Sequence, residues 1–200
     1  ASDVYKRQVQ TVVAEGEPVG FIRGYKAVLN PDNSLKEILP LQNLGSTLPT
    51  AYGNFSLSVS YKNLSFMLSG DYQYGAYVHS FDRQFRFSKG LKDDAIPEKA
   101  LEGLDQGANW LNFTNFFVEK SDFLKIRNIG IAYDYKPKKY LKSVNLAFNV
   151  YNPFAFTASS VDPEAALAGA RSQGAVAVGG LNYSSYSTPR QYVGTIRVSF

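Results

Sequence analysis

Four carboxylates close together in one segment have the spacing that most suggests catalysis. They are Asp93, Asp94, Glu98 and Glu102. Paired acids act as general acid and base when an apolar setting raises the pKa of one of them, and the sequence around these four is polar and loop-like. A glycosidase would need two facing carboxylates about 5–9.5 Å apart, which no predicted strand supplies. We therefore predict that the chain is not an enzyme.

The remaining polar candidates point to binding rather than to reaction. His79 is the only histidine and there is no cysteine, and no P-loop, zinc or nucleophile–histidine–acid motif is present. We predict no metal and no cofactor, and we place His79 in a loop. Asp162 and Glu164 could bind a cation or a polar substrate, and Tyr183 and Tyr186 could stack on sugar rings. A solvated loop is the simpler interpretation of each of these four residues.

Composition excludes several classes of protein. The net charge is +4, but the basic residues are scattered over loops and turns, so we predict no nucleic-acid partner. No apolar run approaches the roughly 20 residues of a membrane helix. A mean hydropathy of -0.21 suits a soluble protein and a membrane barrel equally well, because only every second residue of a barrel strand is apolar. Residues 1–8 lack a signal peptide's apolar segment and fit nothing that follows, so we predict a non-native leader there and one domain over 9–200.

Alternating apolar and polar residues are the strongest pattern and predict strands with two different faces. In the first clear strand, Phe55, Leu57 and Val59 alternate with serines. The phase changes within 123–135, and a β-bulge near Arg127 and Asn128 would reconcile its two halves. Alternatively, Lys125 and Arg127 lie beyond the apolar band. The predicted strands are 54–61, 64–78, 123–135, 144–154 and 191–200, with a less regular strand at 19–29.

The lengths of the connections suggest a direction for these strands. Long segments at 30–50, 79–121 and 155–190 alternate with short ones at 62–63 and 136–143, and 97–104 reads as a short helix within the second long segment. Outer-membrane barrels combine long external loops with short periplasmic turns. We predict an all-β fold: an antiparallel up-and-down transmembrane β-barrel of which only about the last six strands are present, leaving an open sheet. The alternative is a soluble carbohydrate-binding β-sandwich, which requires Greek-key pairing and packed apolar faces.

Five blocks in order resemble the carboxy-terminal part of the SusC/RagA-type TonB-linked outer-membrane transporters. The likeness runs from about residue 13 to residue 200, although Pro153 stands where that family usually has leucine. The blocks are EGEPVGFIRGYK at 15–26, GSTLPTAYGNFSLSVSYKN at 45–63, DFLKIRNIGIAYDYKP at 122–137, NPF and DPE at 152–154 and 162–164, and PRQYVGTIRVSF at 189–200.

This resemblance implies a function and a set of partners. Members of that family combine an amino-terminal plug with a barrel of about 22 strands. They import oligosaccharides or peptides across the bacterial outer membrane, driven by the TonB system and usually with a SusD-like lipoprotein. The chain would then be the carboxy-terminal barrel segment of such an importer, in contact with outer-membrane lipid.

The last strand carries a further expectation. Tyr192, Gly194, Ile196, Val198 and Phe200 alternate up to the end of the sequence, and such an ending resembles the signal read by the barrel-assembly machinery. An ordinary strand ending in phenylalanine is the alternative.

Tyrosines near the short turns suggest a second feature of barrels. Tyr61, Phe66, Tyr133 and Tyr135 could form an aromatic girdle at a lipid interface. Ordinary β-propensity explains each of them equally well.

Overall fold

The computed structural model describes residues 10–12, 16, 20–137, 141–162, 164, 181–182 and 186–200, so the predicted leader lies outside it. The described chain is mostly antiparallel β-sheet. Its strands are β1 (Gln10–Val12), β2 (Phe21–Leu29), β3 (Leu35–Ser46), β4 (Ala51–Tyr61), β5 (Leu64–Tyr74), β6 (Tyr77–Ser80), β7 (Val118–Lys120), β8 (Phe123–Tyr135), β9 (Ser143–Thr157), β10 (Leu181–Asn182) and β11 (Gln191–Ser199).

Two compact units divide the chain. The sheet unit comprises Ala51–Tyr74, Phe123–Thr157 and Thr188–Phe200, and the loop unit comprises Ala1–Thr50, Gly75–Asp122 and Ala158–Ser187. The sheet unit is a single five-stranded sheet in the order β11-β9-β8-β5-β4, and every neighbouring pair in it is antiparallel. This is the predicted up-and-down order, and β4 and β11 are the two edges of an open sheet.

The predicted bulge in β8 is confirmed. The pairing of β8 with β5 shifts between Ser69 and Gly70, and its pairing with β9 shifts between Ile126 and Asn128. In the pairing with β5, Arg127 is the extra residue on β8, whereas in the pairing with β9 the extra residue lies on β9, where Asn152 and Pro153 stand opposite Arg127. Ile126 and Ile129 therefore lie on the same face of the sheet, although residues three apart in a regular strand lie on opposite faces.

The prediction of a long connection at 30–50 was wrong. Most of this segment is β3, which pairs with β2 in a sheet of order β1-β2-β3. Pro40 and Leu41 lie opposite Tyr25 at a register shift, and Leu41 has a φ of 54°. This bulge reverses the phase in mid-strand, which hides the alternation. The predicted alternation of long and short connections therefore applies only to the five strands of the sheet unit.

The predicted strand at 64–78 is two strands. Gly75 separates β5 from β6 with a φ of +86°, and a Cβ there would lie 2.4 Å from Thr50 Oγ1. Beyond it, β6 belongs to a small sheet of the loop unit in the order β10-β6-β7, where it pairs in parallel with β10. Glycine ends the long strand because only glycine adopts this conformation without strain.

The second long segment contains more helix than the sequence predicted. The expected helix at 97–104 is a short 3-10 turn at Glu98–Leu101, but α1 (Phe81–Ser88), α2 (Gln106–Asn109) and a 3-10 helix at Trp110–Phe117 were missed. Their aromatic side chains form the core of the loop unit around Phe87, Phe113 and Phe117, each at most 1% exposed. No described helix is long and apolar enough to cross a membrane.

Candidate functional site

One face of the five-stranded sheet is apolar from edge to edge. Directly paired residues of adjacent strands share a face, so the register can be followed across the sheet. One row consists of Leu57, Leu68, Ile129, Val150 and Tyr192. It crosses all five strands without a polar side chain.

Two further rows extend this apolar face toward the short turns. The second row is Val59, Phe66, Ile131, Phe148 and Gly194, and the third is Tyr61, Leu64, Tyr133, Leu146 and Ile196. Their large side chains are exposed, with Val59 at 50% and Ile196 at 73%. An apolar surface of this extent is unusual on a soluble monomer and marks a surface with an apolar partner.

The opposite face of the same sheet is polar and built from small side chains. One of its rows is Ser60, Ser65, Ala132, Ala147 and Thr195. The Oγ atoms of Ser60 and Ser65 lie 3.0 Å apart and share a hydrogen bond. Met67, Tyr151 and Val193 also lie on this face, so this face is predominantly, but not entirely, polar.

Two carboxylates on the polar face accept hydrogen bonds from the neighbouring strand. Arg127 donates from Nε to Asp71 Oδ1 at 2.5 Å and from a terminal nitrogen to Oδ2 at 2.7 Å. Asn145 Nδ2 donates to Asp134 Oδ1 at 2.8 Å. A two-pronged arginine–carboxylate pair is among the stronger polar contacts in proteins.

The length of the strands matches a membrane crossing. The strands β4 and β5 have 11 residues each and β8 has 13, whereas a tilted strand crosses the hydrocarbon layer with about 9–11. An apolar outer face and a polar inner face are the two surfaces of a transmembrane barrel strand. The structure therefore defines an antiparallel sheet with barrel-like faces.

The residues predicted as an assembly signal lie together on the apolar face. Tyr192, Gly194, Ile196 and Val198 occupy alternate positions of β11, and Phe200 follows that strand with 80% of its side chain exposed. Their recognition by an assembly machinery stays a prediction. The structure adds that β11 is an edge strand, so its outer backbone groups have no partner strand among the described residues.

The predicted girdle residues also lie on this face. Tyr61 and Tyr133 are in the third row, Phe66 is in the second, and Tyr135 pairs with Val144 one step beyond. All four are exposed. Their position at the end with the short turns is the one expected of an interfacial belt, and their role at a lipid interface stays a prediction.

Of the four loop residues predicted to contact substrate, the structure describes Asp162, Glu164 and Tyr186, and their contact with a substrate stays a prediction. The backbone N–H of Glu164 donates to Asp162 Oδ1 at 3.0 Å, which joins these two in a tight turn. Tyr186 is 95% exposed, and Tyr183 lies outside the described residues. The described part of the chain holds no group of three or more histidines and carboxylates that could bind a metal ion.

All four acidic residues considered for catalysis line one cavity of about 550 Å³, and two of them, Asp93 and Glu98, are paired with basic side chains. Arg83 donates from Nε to Asp93 Oδ2 at 2.9 Å and also binds Glu119. Burial raises the pKa of Asp93, but hydrogen bonds from Arg83 and a backbone N–H outweigh it, so this pKa is lowered. The hydrogen bond from Lys92 likewise lowers the pKa of Glu98. A lowered pKa keeps a carboxylate ionised and opposes a role as general acid.

Sequence reasoning missed the cluster centred on Arg83. It joins α1, the following loop and β7, and it reaches Ser160, whose N–H and hydroxyl both donate to Glu119. A cavity of about 750 Å³ adjoins this cluster and is lined by Arg86, Lys92 and Asp94 among others. The one guanidinium and two carboxylates of this cluster are hydrogen-bonded to each other and to Ser160, so the cluster connects separate segments of the loop unit.

His79 was wrongly placed in a loop. It is a β6 residue with only 3% of its surface exposed. Its Nε2 shares a hydrogen bond of 2.5 Å with Gln84 Oε1, and Gln84 Nε2 donates to Thr114 Oγ1 at 3.0 Å. Burial lowers the pKa of His79 from 6.5 to about 4, although the Gln84 hydrogen bond opposes that change.

This depressed pKa predicts that the loop unit loses stability in mild acid. Below about pH 6.5 the unfolded chain protonates His79 while the folded chain does not. The free energy of unfolding then falls by up to about 1.4 kcal/mol per pH unit, or about 2 kcal/mol between about pH 6.5 and pH 5. Urea denaturation across this range is the measurement. His79→Gln keeps a donor toward Gln84 and should remove the slope, and an unchanged slope in this variant would contradict the assignment.

Comparison with known proteins gives a likeness in fold. No family model and no curated protein matches the chain. Among the solved structures that match it are the RagAB peptide importer in its "open-open" and "closed-closed" states and the RagAB peptide transporter. Their TM-scores are 0.62, 0.64 and 0.61, at sequence identities of 19%, 20% and 21%. The alignments cover 90–91% of this chain but only 22–23% of the matched chains, so this chain spans less than a quarter of their length.

Proposed function

We propose that the chain is the carboxy-terminal barrel segment of a TonB-dependent importer in a bacterial outer membrane. The single observation that carries this proposal is the five-stranded antiparallel sheet with one continuous exposed apolar face. A bilayer covers such a face, while the polar face borders the water-filled interior. The fold likeness to the RagAB structures and the order of the sequence blocks support the same assignment.

The soluble β-sandwich explains these observations less well. A sandwich packs its apolar face against a second sheet, whereas Leu57, Ile131 and Phe148 are each about half exposed. It also requires Greek-key pairing, whereas the five strands of the sheet unit pair in the order in which they follow one another.

The cargo in this proposal is an oligosaccharide or a peptide. Peptide import is the activity named for the matched RagAB structures, and both cargoes are typical of the family that the sequence resembles. The same resemblance suggests a SusD-like lipoprotein as the partner, with energy from the TonB system. This chain contributes lipid-facing wall and loop structure in that assembly.

Deletion of the complete gene tests this function. The deletion strain should lose uptake of fluorescent peptides or of oligosaccharides, and the class that is lost identifies the cargo. Plasmid-borne wild type should restore uptake, and it should stop doing so when TonB is also removed. Normal uptake of both classes in the deletion strain, or uptake that does not depend on TonB, would exclude a TonB-dependent importer.

A further inference from the structure

The apolar face of the sheet is interrupted by a furrow at Gly194. Gly194 pairs with Phe148 on β9, and a Cβ built on it would meet no atom within 4 Å. Leu64, Leu146 and Ile196 are among the side chains that line the space left open, which has a volume of about 470 Å³. Its walls are almost entirely apolar, so a hydrocarbon chain fits it better than a polar ligand.

Basic turns lie at the end of the sheet nearest this furrow. Lys62 forms the β4–β5 turn, and its Nζ lies 5.2 Å from the ring centroid of Tyr61. The carbonyl of Asn63 accepts from the N–H of Asp134 at 2.8 Å, which places this turn beside the end of β8. Lys136 directly follows β8 and is exposed.

A third lysine lies at the same end. The N–H of Lys142 donates to the carbonyl of Ser199 at 2.8 Å, so Lys142 lies where β9 begins and β11 ends. Among the described residues of the sheet unit, Asp134 is the one side-chain carboxylate at this end, and it accepts from Asn145 on the polar face. The lysines therefore leave a net positive charge beside the open end of the furrow.

The geometry points to a binding site for an anionic phospholipid. One acyl chain lies in the furrow above Gly194, and the lipid phosphate meets Lys62, Lys136 and Lys142. This placement rests on the proposed function, since it needs the apolar face to contact a bilayer. An anionic lipid is favoured over a zwitterionic one because each lysine near a membrane surface attracts negative headgroups roughly fivefold more strongly than an uncharged residue does.

Lipid titration of the product of the complete gene tests this site. The delipidated protein is titrated with dioleoyl phosphatidylglycerol, dioleoyl phosphatidylcholine and glycerol 3-phosphate, and bound lipid is counted by native mass spectrometry. We expect phosphatidylglycerol to bind at least about tenfold more tightly than phosphatidylcholine. Glycerol 3-phosphate should not bind, because without an acyl chain it cannot use the furrow.

Two sets of variants separate the headgroup from the chain. K62Q/K136Q/K142Q should bring the two phospholipids to equal affinity, and the matched variant K26Q/K36Q/K120Q, which removes the same charge from the loop unit, should not. Gly194→Leu should weaken both phospholipids about fivefold or more by filling the furrow, while Val193→Leu, on the other face, should not. The substituted lysines lie in exposed turns, so the triple variant should fold. It therefore tests the site even if Gly194→Leu does not fold.

The outcomes also separate this site from the proposed function. A protein that inserts into bilayers but shows equal affinity for both lipids overturns the lipid site alone. Binding of free glycerol 3-phosphate as tight as that of phosphatidylglycerol would overturn it in favour of a simple phosphate site. Failure of the intact protein to insert into bilayers overturns the proposed function together with the lipid site.

Discussion

Replacing Leu57 with arginine should destabilise the intact protein in a bilayer by about 2–4 kcal/mol, whereas Ser58→Arg should cost less than about 1 kcal/mol. The two residues are neighbours on β4 and both are exposed. Leu57 belongs to the row that ends at Tyr192, well inside the apolar face, and an arginine there would face hydrocarbon. An arginine at Ser58 would face the polar side of the sheet.

Urea unfolding in lipid vesicles, followed by the heat-dependent shift in electrophoretic mobility, measures this difference. A soluble protein would tolerate arginine at either position, because exposed substitutions usually change stability by less than about 0.5 kcal/mol. Equal and small effects at Leu57 and Ser58 would therefore argue against a lipid-facing surface.

Replacing Phe87 with alanine should destabilise the loop unit by about 3–5 kcal/mol. The ring of Phe87 is 1% exposed and lies 5.7 Å from the ring of Phe113 and 5.5 Å from that of Phe117. Removing the Phe87 ring leaves a cavity that the neighbouring rings cannot fill. Truncations that leave such a cavity reduce the free energy of unfolding the most. Amide hydrogen exchange in α1 and in the 3-10 helix at Trp110–Phe117 reports the change.

Phe85 supplies the matched control on the same helix. It is 42% exposed, and its ring stacks on Phe81 at 6.3 Å. Phe85→Ala should cost about 1 kcal/mol or less, since little buried surface is lost. If both variants speed up exchange equally, the buried aromatic core does not hold the loop unit together.

The sheet unit was predictable from the sequence because apolar and polar residues alternate along its strands. Where alternation is unbroken, as from Leu64 to Tyr74, the strand follows directly from it. The bulge at Arg127 was also predictable, since the apolar phase changes only once there and resumes cleanly at Ile129. These features depend on local pattern alone.

The loop unit was not predictable for physical reasons that the structure makes clear. The bulge at Pro40 and Leu41 shifts the alternation of apolar and polar residues in β3 by one position. Each half of the strand is then too short to be recognised from its alternation. The core around Phe87 joins residues far apart in the chain, including Ala27 on β2. The burial of His79 likewise depends on tertiary packing, since only folding brings Gln84 and Thr114 to it.

Lipid accessibility along β9 tests the central claim most directly. This chain has no cysteine, so single cysteines can be placed at positions 144–150 in a variant of the intact protein from which any other cysteines have been replaced, and then spin-labelled in vesicles. Labels at Val144, Leu146, Phe148 and Val150 should collide with oxygen and be shielded from a water-soluble nickel complex, and labels at Asn145, Ala147 and Asn149 should show the reverse. Nickel accessibility at all seven positions would contradict a membrane-facing sheet.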